Sequence, residues 1–322
     1  MSVRSFLVAL IAGVLLLNAC ASDPFAEQQG VGDRYMAEKK WDAAISAYQK
    51  VLTIDPKSSS ANNRLALAYN NRGWSLNQNE KWDAAIADFD SALKYSKNIA
   101  LVYNNRGFAY DNKGQLVLAN AYILLNNGDE KSALKEIDVA IGLFSQAIDN
   151  LKQASVLDSG LKEIKVNLAN SYNDRGHAYN LKREWNNAIP DLDNAISLNS
   201  NLARAFNNRC WAYNGKTVWD NAIPDCTRAI ELDPKMELAY NNRGWAYHEI
   251  NKYNEALDDL NKAITLNSKL TVAYINRAIT YFYLSNRELS IKDCQTVLNM
   301  TRHPELVSAA TELSQLAQSL SK

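Results

Sequence analysis

The chain has 322 residues, with 35 basic and 35 acidic side chains and a formal net charge of zero. This balance excludes the strong electrostatic attraction that binding to nucleic acid or to an anionic bilayer requires, so no nucleic-acid partner is expected. Glycine and proline are scarce, with 12 and 6 residues, and such a composition suits an all-helical protein.

The N-terminus has the pattern of a secretory signal. Arg4 supplies a positive charge, and the uncharged run 6–17 is shorter than the roughly 20 apolar residues that span a bilayer. The tetrapeptide Leu-Asn-Ala-Cys that ends at Cys20 resembles the lipobox of bacterial lipoproteins, which implies cleavage before Cys20 and a lipid on its thiol. Ala21 then implies the outer membrane, facing the periplasm. The alternatives are an ordinary signal peptide that contains a cysteine and a membrane-anchoring helix.

One motif recurs through the rest of the chain. Tyr240-Asn-Asn-Arg-Gly244-Trp-Ala-Tyr247 has counterparts that begin at Tyr69, Tyr103, Tyr172, Phe206 and Tyr274, mostly 34 residues apart. Each motif precedes a segment whose apolar residues recur at i, i+3, i+4 and i+7, which predicts one face of a helix. Five polar residues are predicted to be the N-caps of these second helices: Asp42, Asp83, Asn186, Asp220 and Asn254.

These motifs resemble the tetratricopeptide repeat (TPR), a pair of antiparallel helices. The family's large, small and small positions fall at Tyr240, Gly244 and Ala256. The resemblance implies an all-α fold, a TPR superhelical solenoid of antiparallel helix pairs with a C-terminal capping helix. About seven extra residues before Ala66 are expected to lengthen one first helix by two turns.

The predicted organisation has six parts. They are a removed signal peptide at 1–19, a lipidated cysteine and short tether at 20–24, an N-terminal TPR block at 25–133, an irregular helical segment with a degenerate TPR phase at 134–168, a C-terminal TPR block at 169–304 and a capping helix at 305–322.

No catalytic or metal-binding constellation stands out in the sequence. His177, His248 and His303 lie in different repeats, without partners at metal-ligand spacing. There is neither a phosphate-binding glycine loop nor a nucleophile elbow. A non-enzymatic protein without metal or cofactor is therefore expected.

Cys210 and Cys226 occupy facing small positions within one repeat. One interpretation is that both are small, buried, apolar side chains. The other is a disulfide between them, formed in an oxidising periplasm.

The arginine of the motif stands where many TPRs carry leucine. In five repeats an aspartate follows it 16 residues later, a spacing that can set the two side chains against each other on paired helices; Arg106 lacks such a partner. We predict structural ion pairs, with ligand binding by the arginines as the alternative. The pairs are Arg72–Asp88, Arg175–Asp191, Arg209–Asp225, Arg243–Asp259 and Arg277–Asp293.

In the TPR family the concave surface takes the residue two before the glycine position and the residue after it. Here these two rows hold mainly amides and aromatic rings, with Asp174 and His177 in one repeat. Because an amide has donors and an acceptor, we hypothesise that the rows grip an extended peptide; alternatively the amides only cross-link neighbouring repeats. The hypothesised groove residues are Asn71, Trp74, Asn105, Phe108, Asn208, Trp211, Asn242, Trp245 and Asn276.

The sequence therefore favours a membrane-tethered interaction scaffold. It would bind an extended segment of another envelope protein and serve in assembly of an envelope complex, as a pilotin does, while the lipid on Cys20 contacts the membrane. The alternative function is a carbohydrate- or peptidoglycan-binding lipoprotein, because sugars also stack on aromatic faces.

Overall fold

The computed structural model describes residues 24–301 and 303–320. The predicted signal peptide and the predicted lipidation site, Cys20, lie outside these residues. The described part contains fifteen helices and no strand, which confirms the all-α prediction. The helices are α1 (Pro24–Ala37), α2 (Trp41–Ile54), α3 (Ser59–Gln78), α4 (Trp82–Tyr95), α5 (Ala100–Asn126), α6 (Glu130–Leu157), α7 (Lys162–Leu181), α8 (Trp185–Leu198), α9 (Ala203–Gly215), α10 (Trp219–Leu232), α11 (Glu237–Glu249), α12 (Tyr253–Leu266), α13 (Thr271–Tyr283), α14 (Arg287–Met300) and α15 (Pro304–Ser319).

The chain forms two compact units, an N-terminal unit up to residue 106 and a C-terminal unit from residue 107. The boundary falls inside α5. In the N-terminal unit α1 packs on α2 and α3 on α4. In the C-terminal unit α7 packs on α8, α9 on α10, α11 on α12 and α13 on α14, and each pair also contacts the next. Each unit is thus built from consecutive helix pairs, as the repeat predicts.

The chain reverses inside each pair through one residue in the left-handed backbone region. Among the described residues these have φ between 56° and 82°, and all but Gly128 carry a side chain. A left-handed residue just after a helix is a common way to end it, although it favours glycine. The residues are Lys39, Glu80, Gly128, Arg183, Thr217, Asn251 and Ser285.

The predicted N-caps are wrong by two positions. The second helices begin at an aromatic residue, such as Trp185 or Tyr253, so the predicted caps occupy the second helical position. The residues that do precede these helices, such as Glu184 and Lys252, make no side-chain cap hydrogen bond.

Residues 134–168 are regular, which corrects the prediction of an irregular segment. Residues 134–157 belong to α6, a continuous helix of 28 residues, and after a short turn residues 162–168 begin α7. The family spacing fails here because α5 and α6 have 27 and 28 residues against 13 in α9. Their added turns pack on each other through Leu118, Ile137 and Phe144.

The lengthening predicted before Ala66 is present, since α3 has 20 residues and its counterpart α9 has 13. At the other end, α15 places Ala310 against Ile275, Cys294 and Val297 of the last pair. This helix therefore covers the final apolar face, as the capping prediction requires.

Facing side chains inside the pairs are matched in size. A Cβ added at Gly244 would lie 2.9 Å from Leu260 Cγ, and one added at Gly176 would lie 2.8 Å from Leu192 Cγ. Where the first helix carries a larger residue, the second carries a small one, as in Ala278, which packs in one buried cluster with Cys294. This complementarity fixes how closely the two helices of a pair approach.

None of the helices in the described part combines the length and the apolar character that crossing a membrane demands.

Candidate functional site

The five predicted Arg–Asp pairs are present as two-point hydrogen bonds. In the fourth pair, Arg243 donates from Nε and Nη2 to the two carboxylate oxygens of Asp259, at 2.7 and 2.9 Å. The other four pairs have the same geometry, with distances of 2.6–2.9 Å. The Asp259 side chain is 9% exposed and that of Arg243 is 18% exposed, so each pair sits at the edge of the core.

The third guanidinium nitrogen joins neighbouring helix pairs. Arg209 Nη1 donates to Asp193 and Arg277 Nη1 to Asn261, each 16 residues earlier and in the preceding pair, at 2.7 Å. Arg106, which lacks an aspartate after it, uses the same earlier position and binds Asp90 at 2.6 Å. The prediction thus missed a second partner, whose signal is a polar residue 16 positions before the arginine.

Burial limits what each pair contributes. Desolvation raises the pKa of Asp225, although its partner Arg209 opposes the shift. The hydrogen bonds that Arg209 donates to Asp225 in turn raise the pKa of Arg209. Burial thus favours the neutral form of Asp225, whereas the pairing favours the charged form of Arg209. Because these effects oppose each other, the pair yields little net stability, while loss of one partner leaves a buried charge. Each arginine also lies over the aromatic ring three residues earlier, as Arg243 does over Tyr240.

The amides of the motif form a continuous hydrogen-bonded ladder. The second asparagine of each motif donates to the first asparagine of the preceding motif, which donates to its own neighbour. In the C-terminal unit the ladder runs from Asn276 through Asn241, Asn242, Asn207, Asn208 and Asn173 to Asp174, with N···O distances of 2.8–3.5 Å. In the N-terminal unit it runs from Asn104 through Asn105 and Asn70 to Asn71, at 2.9–3.4 Å.

The ladder decides part of the question that the sequence left open. The hypothesised groove amides do cross-link neighbouring repeats, and Asn105 and Asn208 are buried. An amide has two N–H donors and two acceptor lone pairs. Each ladder amide in the middle of the run therefore keeps one donor and one lone pair that the ladder does not use.

The predicted aromatic row is only partly exposed. Trp74 in the N-terminal unit is 39% exposed, whereas Phe108, Trp211 and Trp245 are half-buried. His177 in the same row hydrogen-bonds through Nε2 with the hydroxyl of Tyr122. Burial lowers the pKa of His177 to about 4, so this histidine is neutral at physiological pH.

The C-terminal unit has an open-sided cavity of about 900 Å³ that is lined by four of the nine predicted groove residues. Trp211, Asn242, Trp245 and Asn276 line it. Residues from opposite ends of the unit also line it, because the start of α15 reaches the turn between α5 and α6. Pro304 packs on Gly128 of that turn, and Glu305 pairs at 3.1 Å with Arg183, which lies in the turn between α7 and α8.

Sequence reasoning missed three further kinds of lining residue. Trp185 starts α8, and its ring lies 6.1 Å from that of Trp211 at 61°. Asn180 and Asn214 donate to backbone carbonyls of the next repeat at 2.7 and 2.8 Å. A third amide row with 34-residue spacing was the available signal for these two, whereas Glu130 is the first residue of α6.

A buried pair of carboxyl groups lies at the end of the ladder. Gln115 Nε2 donates to Asp111 at 2.8 Å and to Asp174 at 2.9 Å, and both carboxyls are more than nine-tenths buried. Burial, with the charge of Asp174 adding to it, raises the pKa of Asp111 to about 7. Burial also raises the pKa of Asp174, against the opposing effect of Arg204.

Cys210 and Cys226 are joined in a disulfide between α9 and α10, and Cys294 is a free, buried thiol. Within the described ranges, no three histidine, cysteine or acidic side chains lie together as metal ligands would.

Comparisons with family models find two matches. The tetratricopeptide repeat model matches residues 238–270, and a second TPR repeat model matches residues 32–73. No curated protein matches the chain.

Many solved structures resemble the chain. YrrB, described as a TPR protein with an unusual peptide-binding site, is 20% identical over 70% of this chain and 97% of its own, with a TM-score of 0.44. The C-terminal part of a TPR repeat-containing protein from Cytophaga hutchinsonii is 16% identical over 86% and 97%, with a TM-score of 0.49. A tetratricopeptide repeat protein from Parabacteroides merdae is 15% identical over 92% and 100%, with a TM-score of 0.40.

The Arg–Asp pairs predict that replacing a buried arginine lowers the free energy of unfolding far more than replacing an exposed one. Arg243→Ala leaves Asp259 buried without its partner and should lower the free energy of unfolding by about 3 kcal/mol. Arg228→Ala is the matched control, since its pair with Glu231 is exposed and contributes about 0.5 kcal/mol or less. Urea unfolding of both variants measures the difference, and equal stabilities would show that the pair is not buried in solution.

The carboxyl pair predicts a stability loss as pH rises. The pKa of Asp111 is raised on folding, so its contribution is complete below pH ~4 and is lost by pH ~7. Asp111→Asn should remove this decline, which is on the order of 4 kcal/mol for a shift of about three pKa units. Urea unfolding at several pH values between 4 and 8 tests it, with the exposed Asp149→Asn as control; parallel curves for parent and Asp111→Asn would refute the shift.

Proposed function

Because the chain belongs to the tetratricopeptide-repeat family, we propose that it is a protein–protein interaction scaffold that binds an extended segment of a partner in its concave groove. The TPR fold supports a scaffold of this kind, and TPR proteins are generally non-enzymatic. The observation that carries the proposal is the cavity of the C-terminal unit, which gathers groove residues from α9, α11 and α13 around one space.

The ladder gives the groove a uniform way to hold a backbone. The ladder amides Asn242 and Asn276 line the cavity and are half-buried rather than buried. Their unused donor and lone pair match the two polar groups of a peptide unit. Since the ladder fixes these amides before a partner arrives, binding needs little further ordering of side chains.

We also propose that the scaffold is anchored by a lipid on Cys20 to an envelope membrane, with the outer membrane and its periplasmic face as the first choice. The lipobox-like sequence before Cys20 supports the anchor. The disulfide between Cys210 and Cys226 supports an oxidising compartment, where such bonds persist. Within this setting the scaffold would serve in the assembly of an envelope complex, in the manner of a pilotin.

The groove predicts where a partner will be captured. A photoreactive aromatic residue in place of Trp245, in the full chain expressed in its own cells, should crosslink to a protein through one contiguous segment. The same residue in place of Asp258, an exposed residue of α12, should give no such product. Mass spectrometry of the crosslinked peptides identifies the segment.

Two other outcomes would count against the proposal. Equal products from both positions would mean non-specific contact rather than a groove. Crosslinks to glycan strands instead of protein would favour the carbohydrate- or peptidoglycan-binding alternative, which the tryptophans and amides of the cavity also suit.

The anchor is tested separately by Cys20→Ser. This variant should move from the membrane fraction to the soluble fraction, since each acyl methylene removed from the bilayer forfeits about 0.8 kcal/mol of membrane affinity. Ser22→Ala is the matched control and should stay in the membrane fraction. A Cys20→Ser protein that sediments with the membranes would refute lipid anchoring through this residue.

A further inference from the structure

We propose that the cavity of the C-terminal unit takes a cationic side chain, lysine or arginine, carried by the extended segment of the partner. This inference rests on the proposed function, because it names the chemistry of the segment that the groove binds. Three properties of the lining support it: aromatic faces, acceptors without donors and an excess of carboxylates.

The aromatic faces come from three tryptophans. Trp185 and Trp211 meet edge to face with their ring centroids 6.1 Å apart, and Trp245 lines the same cavity from the next repeat. Gly215 makes room for the first of these rings, since a Cβ there would lie 2.4 Å from Trp185 Cε2. Indole is the aromatic side chain that attracts a cation most strongly.

The acceptors are the side-chain oxygens of Asn180 and Asn214. Both residues line the cavity and are more than nine-tenths buried, and their Nδ2 atoms already donate to backbone carbonyls. Neither Oδ1 atom has a hydrogen-bond partner among the residues that the structure describes. Both Oδ1 atoms are shielded from solvent, so these amides would have to turn toward the cavity to meet a ligand. Lysine and arginine supply only donors and would then satisfy both oxygens.

The charged groups of the lining also favour a cation. Glu130 and Glu305 carry two negative charges, whereas Arg183 carries the one positive charge of the described lining and is already paired with Glu305. The protein as a whole is neutral, so this excess is local. An acidic segment would be repelled here, and a neutral sugar would leave the excess charge uncompensated.

The experiment compares blocked pentapeptides that differ in one side chain, titrated calorimetrically into the full chain at low salt. Ac-Gly-Ser-Lys-Ser-Gly-NH2 should bind about tenfold more tightly than its norleucine counterpart, which keeps the alkyl chain without the charge. The glutamate counterpart should bind more weakly than either. Raising the salt concentration should reduce the preference for lysine.

Variants assign the preference to the cavity. Trp245→Leu, and separately Glu130→Gln combined with Glu305→Gln, should each reduce the lysine preference by about threefold or more. Glu163→Gln is the matched control: like Glu130 it lies exposed in the first turn of a helix, but it does not line the cavity. It should leave the preference unchanged. Circular dichroism confirms that each variant is folded.

The outcomes separate this inference from the proposed function. Equal affinity for the lysine and norleucine peptides overturns the cation site and leaves the groove as a peptide-binding surface. A lysine preference that survives the cavity variants places the cation elsewhere and also overturns the inference. Binding of chitotriose with no binding of any peptide overturns both the inference and the peptide-binding function.

Discussion

Five of the six motif arginines are held by a carboxylate in their own helix pair. Three of these five also reach a polar group 16 residues earlier in the preceding pair, and Arg106 binds a carboxylate at the same earlier position. This arrangement sets the register of the solenoid. If one helix slid along its neighbour, a carboxylate such as Asp259 would remain at the edge of the core without its guanidinium. The loss in folding free energy would then far exceed the small net stabilisation that the intact pair provides. The planar fork of arginine suits this task, because Nε and Nη2 bind the carboxylate while Nη1 remains available for the preceding repeat.

The amide ladder depends on that register. Asn242 reaches Asn207 only because neighbouring first helices are held at a constant offset, and the same offset recurs for Asn276 and Asn241. All the links in the C-terminal unit point in the same direction, and the ladder ends on the carboxylate of Asp174, which accepts without donating. The ladder of the N-terminal unit runs the same way but ends on an amide, Asn71. The charge of Asp174, however, lies beside the buried carboxyl of Asp111, and Gln115 donates to both.

The sequence predicts the features that follow from fixed spacing. The helix pairs and five bidentate pairs follow from intervals of 34 and 16 residues, and the small positions follow from the same phase. Features that depend on side-chain direction across repeats were not predictable in this way: an asparagine spacing alone does not say whether the amides face a ligand or one another. The cavity could not be predicted from the sequence at all. Two of its lining residues, Arg183 and Glu305, are 122 positions apart, and no local pattern connects them. The regular α5–α6 pair was misjudged because longer helices shift the phase that the shorter repeats establish.

A groove whose amides are already cross-linked differs from one lined by free side chains. Each amide in the middle of the ladder uses half of its hydrogen-bonding groups to bind its neighbours. The donor and the lone pair that remain are the same at every repeat. These groups therefore cannot distinguish one peptide sequence from another. Selectivity must therefore come from residues that break the repetition. In the C-terminal unit these are Glu130 and Glu305, which reach the cavity from the first turns of α6 and α15 rather than from the motif itself. Uniform residues would hold the backbone of a segment, and the exceptional ones would choose its side chain.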